Sequence, residues 1–182
     1  MPNCLLVVTG TPLTLRCADI AATLKQAGWS VQVVPTAAAA AWVDSATIAA
    51  ASGQPAGSEH RDPSEAKRGE AADAVVVAPA TFNTISKAAL GVADTPAHTV
   101  LCEAIGSGIP IVMVPMLNDA LWGHPALAGH LQTLSAAGVG FVDPQTGTDS
   151  PVPVTSGTGD EVVRAFDPSW IVARLDQLRT SR

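Results

Sequence analysis

Ala74-Val75-Val76-Val77-Ala78 runs without a break into Pro79-Ala80-Thr81-Phe82-Asn83-Thr84, and this stretch decides the fold. Five apolar residues with no polar alternation describe a strand buried on both faces, the condition inside a parallel sheet. The turn that follows is small and rich in hydroxyl and amide groups, as expected where a helix begins at the carboxyl end of such a strand.

Outward from this stretch the same alternation repeats. Leu5–Val8 is a short apolar run ending at Thr9-Gly10-Thr11-Pro12. Pro12 suits a first helical position, and Leu13, Cys17, Ile20 and Leu24 follow as one helical stripe that stops near Gly28. Val31–Val34 reads as the next strand, after which Thr36 precedes an Ala-rich helix carrying Trp42. Ser52–Pro63, with His60 and Arg61, reads as a surface loop. Downstream, Thr99–Gly106 is helical and Ile109–Val114 is a fourth strand. A helix carrying Leu127, Leu131 and Leu134 ends at Gly138, and Gly140–Val142 is a fifth strand. Asp143–Gly159 is dense in Pro, Gly, Ser and Thr and forms a long loop or flap, with the flexible part expected at residues 143–160. Ile171, Leu175 and Leu178 place a last helix. The expected fold is α/β: a single Rossmann-like (flavodoxin-like) doubly wound parallel sheet, helices on both faces, spanning residues 1–182 as one domain.

Composition narrows the function classes. The chain has 182 residues, 47% of them apolar and only 14% charged, with a formal net charge of −6. A low charge fraction suggests that part of the surface is covered, most simply by another copy of the chain. No Lys/Arg block marks a nucleic-acid footprint. No run approaches the ~18 apolar residues of a membrane span, and the first ten residues do not form a secretory signal. Cys4, Cys17 and Cys102 lack disulfide or zinc spacing, so a cytoplasmic protein without a metal is expected.

Three strand ends carry small polar residues: Thr9–Thr11, Thr36, and Thr81–Thr84. In a doubly wound sheet all three open onto one edge, where helix N-termini present free N–H groups that suit a phosphate. Plain helix capping is the alternative reading of the same residues. Neither GxGxxG nor GxxxxGK[ST] is present, which argues against an ordinary dinucleotide fingerprint or P-loop.

Pro79-Ala80-Thr81-Phe82-Asn83-Thr84 resembles the P-A-S/T-x-N-T turn of the homo-oligomeric flavin-containing cysteine decarboxylases. Pro115-Met116-Leu117-Asn118-Asp119-Ala120-Leu121-Trp122 resembles their P-x-M-N-x-x-M-W segment, and Gly91-Val92-Ala93-Asp94 their G-x-A-D. The resemblance implies FMN as cofactor. Gly10, Thr11 and Thr36 would hold its phosphate, and Ala80, Thr81, Asn83 and Thr84 would line its ribityl chain and ring. Trp42 would pack near the ring, with ordinary core packing as its alternative, and Met116 would touch the flavin. Asn118 would hold a substrate carboxylate at a subunit interface, in a homotrimer or a multiple of it. Family members oxidise a cysteinyl unit to a thioaldehyde, from which carbon dioxide leaves; the flavin is the electron sink.

The pattern departs from the family at two places. The family His, eight residues before the Asp that opens the third strand, is Glu65 here, counted back from Asp73; His60 lies further upstream. Both are candidate bases. The flap lacks the family's Cys and Arg and reads Ser156-Gly157-Thr158-Gly159-Asp160. The expected function is therefore an FMN-binding, decarboxylase-type or related oxidoreductase acting on a small or peptide-borne thiol or carboxylate substrate. A non-decarboxylating flavin carrier, regulatory or assembly protein is the alternative. Turnover of phosphopantothenoylcysteine, a family substrate, is not expected.

Overall fold

A computed structural model describes residues 1–53 and 72–180. Five parallel strands form one sheet in the order β2-β1-β3-β4-β5: β1 (Asn3–Val8), β2 (Ser30–Pro35), β3 (Ala74–Ala80), β4 (Ile111–Pro115) and β5 (Val139–Phe141). This is the flavodoxin-type order, which reverses direction between β1 and β3 and opens a crevice beyond their carboxyl ends.

The central strands earn their place by composition. Every residue of β3 and of β4 is buried. Alternate residues serve opposite layers: Leu6, Val76 and Val112 join one core cluster, while Val7, Val77 and Met113 join the other. The first layer is closed by α1 (Cys17–Gln26), α2 (Ser45–Ser52), α7 (Gly159–Ala165) and α8 (Ser169–Thr180). The second is closed by α3 (Phe82–Leu90), α4 (Pro96–Gly106) and α6 (Leu127–Ala136). Each buried aliphatic side chain contributes about 1.5–3 kcal/mol, so two continuous clusters account for the cohesion of the sandwich.

The expected elements are present, with four corrections. The first helical stretch opens as a 3-10 turn, Pro12–Arg16, before α1 takes over. The Ala-rich segment after Thr36 forms only a 3-10 turn, Ala39–Ala41, and Trp42 ends that turn rather than riding a helix. The helix proper starts at α2, where the Asp44 side chain accepts from the Thr47 N–H at 2.6 Å. Two short helices escaped the sequence reading: α5 (Asp119–Trp122) and α7, which begins inside the expected flap. Among the described residues no helix is long and apolar enough to cross a membrane.

Candidate functional site

The β1 turn is locked from within. Thr9 is buried and its hydroxyl donates to the Pro79 carbonyl at 2.8 Å, tying this turn to the one after β3. The Thr14 hydroxyl donates back to the Thr9 carbonyl and accepts from the Thr11 N–H. Gly10 lies so near the β2 turn that a Cβ there would stand 2.8 Å from the Ala38 carbonyl oxygen and 2.9 Å from its Cβ. Only glycine allows this approach, since the obstacle includes backbone. The β2 turn is held in its turn by Thr36 N–H to the Val8 carbonyl at 2.9 Å.

Thr36 supplies the clearest sign of a missing partner. Its Oγ1 is buried and makes no hydrogen bond. Burying a hydroxyl unsatisfied costs about 1–3 kcal/mol, and folded proteins rarely leave such a group without a reason. A phosphate-bearing ligand at the junction of the β1 and β2 turns would supply the acceptor. The orphaned hydroxyl and the glycine-only approach therefore fit a group of that kind.

The third turn divides its labour. Thr81 caps α3, its Oγ1 accepting from the Thr84 N–H at 3.3 Å and lying 3.1 Å from the Thr84 hydroxyl. Thr84 is buried and occupied by this contact, and Ala80 is buried within β3. Both shape the turn through the scaffold, whereas Thr81 is half-buried and Asn83 exposed, free to meet a ligand. The Ala80 carbonyl accepts from the Met116 N–H at 3.0 Å, which fixes the spacing between this turn and the segment after β4.

That segment carries Asn118. Its Oδ1 accepts from the Leu121 N–H at 2.9 Å as the cap of α5. The cap assigns the amide's orientation and leaves Nδ2, with two N–H donors, as the uncommitted end of this exposed residue. Asn118 and Met116 line a cleft of about 440 Å³ together with Thr11, Thr155, Ser156 and Asp160. The Thr11 hydroxyl lies 3.3 Å from the Met116 sulfur. On the far wall, Asn118 pairs with Val154 as an isolated bridge, and the Val154 N–H donates to the Leu117 carbonyl at 2.8 Å. The chain before this bridge is tied by Asp143. This fully buried carboxylate accepts from the N–H groups of Gln145, Thr146 and Val152, and from the Thr146 hydroxyl. The pattern Asp143-Pro144-Gln145-Thr146 is an Asx-type turn, the one signal by which sequence reasoning would have found this anchor.

The structure thus brings Thr11, Met116 and Asn118 to one cleft and adds Thr155, Ser156 and Asp160, which the sequence reading did not single out as site residues. Gly10, Thr36, Thr81 and Asn83 lie along the same carboxyl edge of the sheet. Trp42 is more than a third exposed, so it is not a core residue. His60 and Glu65 lie outside the described residues. His98 is buried against Thr95 (Nδ1 to Oγ1, 2.7 Å) and Asp94 (Nδ1 to Oδ1, 3.3 Å). Burial holds its pKa below the ordinary imidazole value; Lys87 adds to that effect and Asp94 opposes it. His124 packs edge-on against the Phe82 ring, with centroids 5.1 Å apart.

Known proteins with this pattern agree on the fold. A family model described as Flavoprotein matches residues 1–160. The coenzyme A biosynthesis bifunctional protein CoaBC of Vibrio vulnificus is 30% identical over 179 residues, covering 95% of this chain and 42% of its own length. Its counterpart in Mycolicibacterium smegmatis is 31% identical over 144 residues, covering 77% and 34%. The chain thus spans less than half the length of these curated relatives. Among solved structures, SpaF, described as an FMN-dependent cysteine decarboxylase, superposes with a TM-score of 0.67 at 28% identity, covering 91% of this chain and 97% of its own. A variant of PPC decarboxylase superposes with a TM-score of 0.73 at 19% identity over the whole of both chains, a likeness of fold.

Proposed function

The chain belongs to the flavoprotein family, and from that premise we propose that it binds FMN and decarboxylates a cysteine-derived thiol whose carboxylate Asn118 holds. The observation that carries this reading is the state of Asn118. Its oxygen is spent on the α5 cap, which leaves its two N–H donors as the uncommitted end of an exposed side chain lining a cleft shared with Thr11, Thr155 and Ser156. A neutral amide fixed this way binds a carboxylate by hydrogen bonds yet does not neutralise it, so the carboxylate can still leave as carbon dioxide.

Gly10, Thr11 and Thr36 would hold the FMN phosphate, and Thr81 and Asn83 its ribityl chain and ring. FMN supplies a two-electron acceptor for the thiol-bearing carbon. The protein's own part is positional: the locked β1 turn, the α5 start capped by Asn118 and the Asp143-anchored chain leading to Val154 fix three sides of the cleft. The rim of this edge carries exposed Leu15, Trp42, Leu121 and Val152, which supports a homotrimer or a multiple of it, with the substrate at a subunit interface. Three free cysteines support a reducing compartment, the cytoplasm.

One observation favours a second reading, flavin binding without decarboxylation: Glu65 stands where the family resemblance implies a His. Incubation of the FMN-loaded protein with a peptide ending in cysteine separates the two. Loss of carbon dioxide and two hydrogens, seen by mass spectrometry, is the expected result. A yellow protein that leaves every such peptide unchanged would establish the second reading instead.

A further inference from the structure

Resting on that reading of the Asn118 cleft and extending it to the substrate's charge, we infer that Asp160 makes the site select thiol substrates carrying a positive group beside the reacting cysteine, and turn away phosphate-bearing ones. The polar lining is otherwise neutral: Thr11, Asn118, Thr155 and Ser156 offer hydroxyls and an amide, and Asp160 is the one charged residue among the described residues lining the cleft. Asp160 is exposed in the first turn of α7, next to Glu161. A helix start ordinarily favours anions, but two carboxylates in the first turn offset that preference.

Among the described residues no cation forms an ion pair with Asp160. Arg16, the guanidinium on the facing 3-10 turn, is committed to Asp19 Oδ2 at 2.6 Å and to the Val163 and Phe166 carbonyls at the other end of α7. Arg164, four residues on in α7, shares the helix face of Asp160, but it makes no ion pair with it and does not line the cleft, so it offsets Asp160 only in part. The α7 start is also pressed onto the same cleft as Asn118: a Cβ on Gly159 would stand 3.0 Å from Pro12 and 3.7 Å from the Met116 methyl. A volume of about 440 Å³ corresponds to a span of roughly 8 Å, about one Debye length at physiological salt, so Asp160 acts on whatever lies beside the held carboxylate.

The test uses FMN-loaded protein and six tripeptides with free carboxyl ends. Three end in serine, cannot be oxidised at sulfur and report binding alone: alanyl-lysyl-serine, alanyl-glutamyl-serine and alanyl-phosphoseryl-serine. The three cysteine counterparts report turnover. The lysyl peptide should bind about tenfold more tightly than the glutamyl one, with the phosphoseryl peptide weakest, and the difference should shrink in about 1 M salt. Asp160→Asn should bring the lysyl and glutamyl affinities within about twofold of each other. Equal affinities in the wild type, or a preference that survives Asp160→Asn, would overturn the assignment to Asp160. Binding with the charge preference but no turnover would uphold Asp160 and overturn the decarboxylase reading. Turnover without the preference would do the reverse, and no binding at all would overturn both.

Discussion

Gly10→Ala is the sharpest probe of the two-turn cradle. The added methyl would meet the Ala38 carbonyl oxygen at 2.8 Å, its Cβ at 2.9 Å and its carbonyl carbon at 3.0 Å. Two of these atoms are backbone, so no rotamer change relieves the overlap, and the β2 turn must move away from the β1 turn. Overpacking of this kind costs about 1–3 kcal/mol. In a chain of this length that is a fall in Tm of roughly 2–4 °C for each kcal/mol. The same displacement separates Thr11 from Thr36, the residues assigned to the cofactor phosphate, so FMN affinity should fall by about tenfold or more, equivalent to about 1.4 kcal/mol. Fluorescence quenching of FMN titrated with apoprotein gives the Kd, and calorimetric melts with and without FMN give the stability. Gly129→Ala is the matched control: Gly129 lies inside α6 with nothing within 4 Å of an added methyl, so it should be neutral or stabilising by up to about 1 kcal/mol. If Gly10→Ala bound FMN within twofold of wild type with an unchanged Tm, the two turns would not be the cradle proposed.

Thr36→Val removes a hydroxyl that has no partner in the protein. It should leave apoprotein stability unchanged or raised by up to about 1 kcal/mol, while weakening FMN binding by about tenfold, because only the ligand uses that group. Asn118→Asp keeps a side-chain oxygen for the α5 cap but places a charge against the substrate carboxylate. FMN binding and Tm should hold while kcat/KM for a cysteine-ended peptide drops by about a hundredfold or more. His98 has a folded pKa depressed chiefly by burial, so the unfolded chain takes up the proton more readily. Its contribution to stability is complete above the unfolded value of about 6.5 and is lost as pH falls below it. Melts between about pH 7.5 and pH 5.5 should show this decline, and His98→Gln should flatten it.

Much of the architecture was legible because burial writes itself into composition. Val75 to Ala78 are apolar on both faces only because the strand lies between two helical layers, and no amphipathic alternative competes. The helices that escaped notice, α5 and α7, are too short to show a period. They are held by tertiary partners such as Arg16 on the Val163 and Phe166 carbonyls. The Ala-rich run before Trp42 has high helical propensity, but it sits where the β2 turn must meet Gly10, and the real helix waits for the Asp44 cap. At the candidate site, the spacing of hydroxyls marked the carboxyl edge of the sheet without saying which side chains the scaffold occupies and which stay accessible. Thr81 and Thr84 look alike in sequence, yet Thr84 is buried against Thr81. Asp143 was overlooked for a related reason: its Asx-type pattern marks a local turn, but most of its partners are backbone N–H groups, which every sequence has, and Val152 lies nine residues on.

The most direct test of FMN binding is the absorption spectrum of the freshly purified protein, followed by mass spectrometry of the small molecule released on denaturation. The account predicts flavin bands at near one chromophore per chain, a released mass matching FMN rather than riboflavin, and restoration of the bands when stripped protein is given FMN. A colourless protein that stays colourless on adding FMN would contradict it.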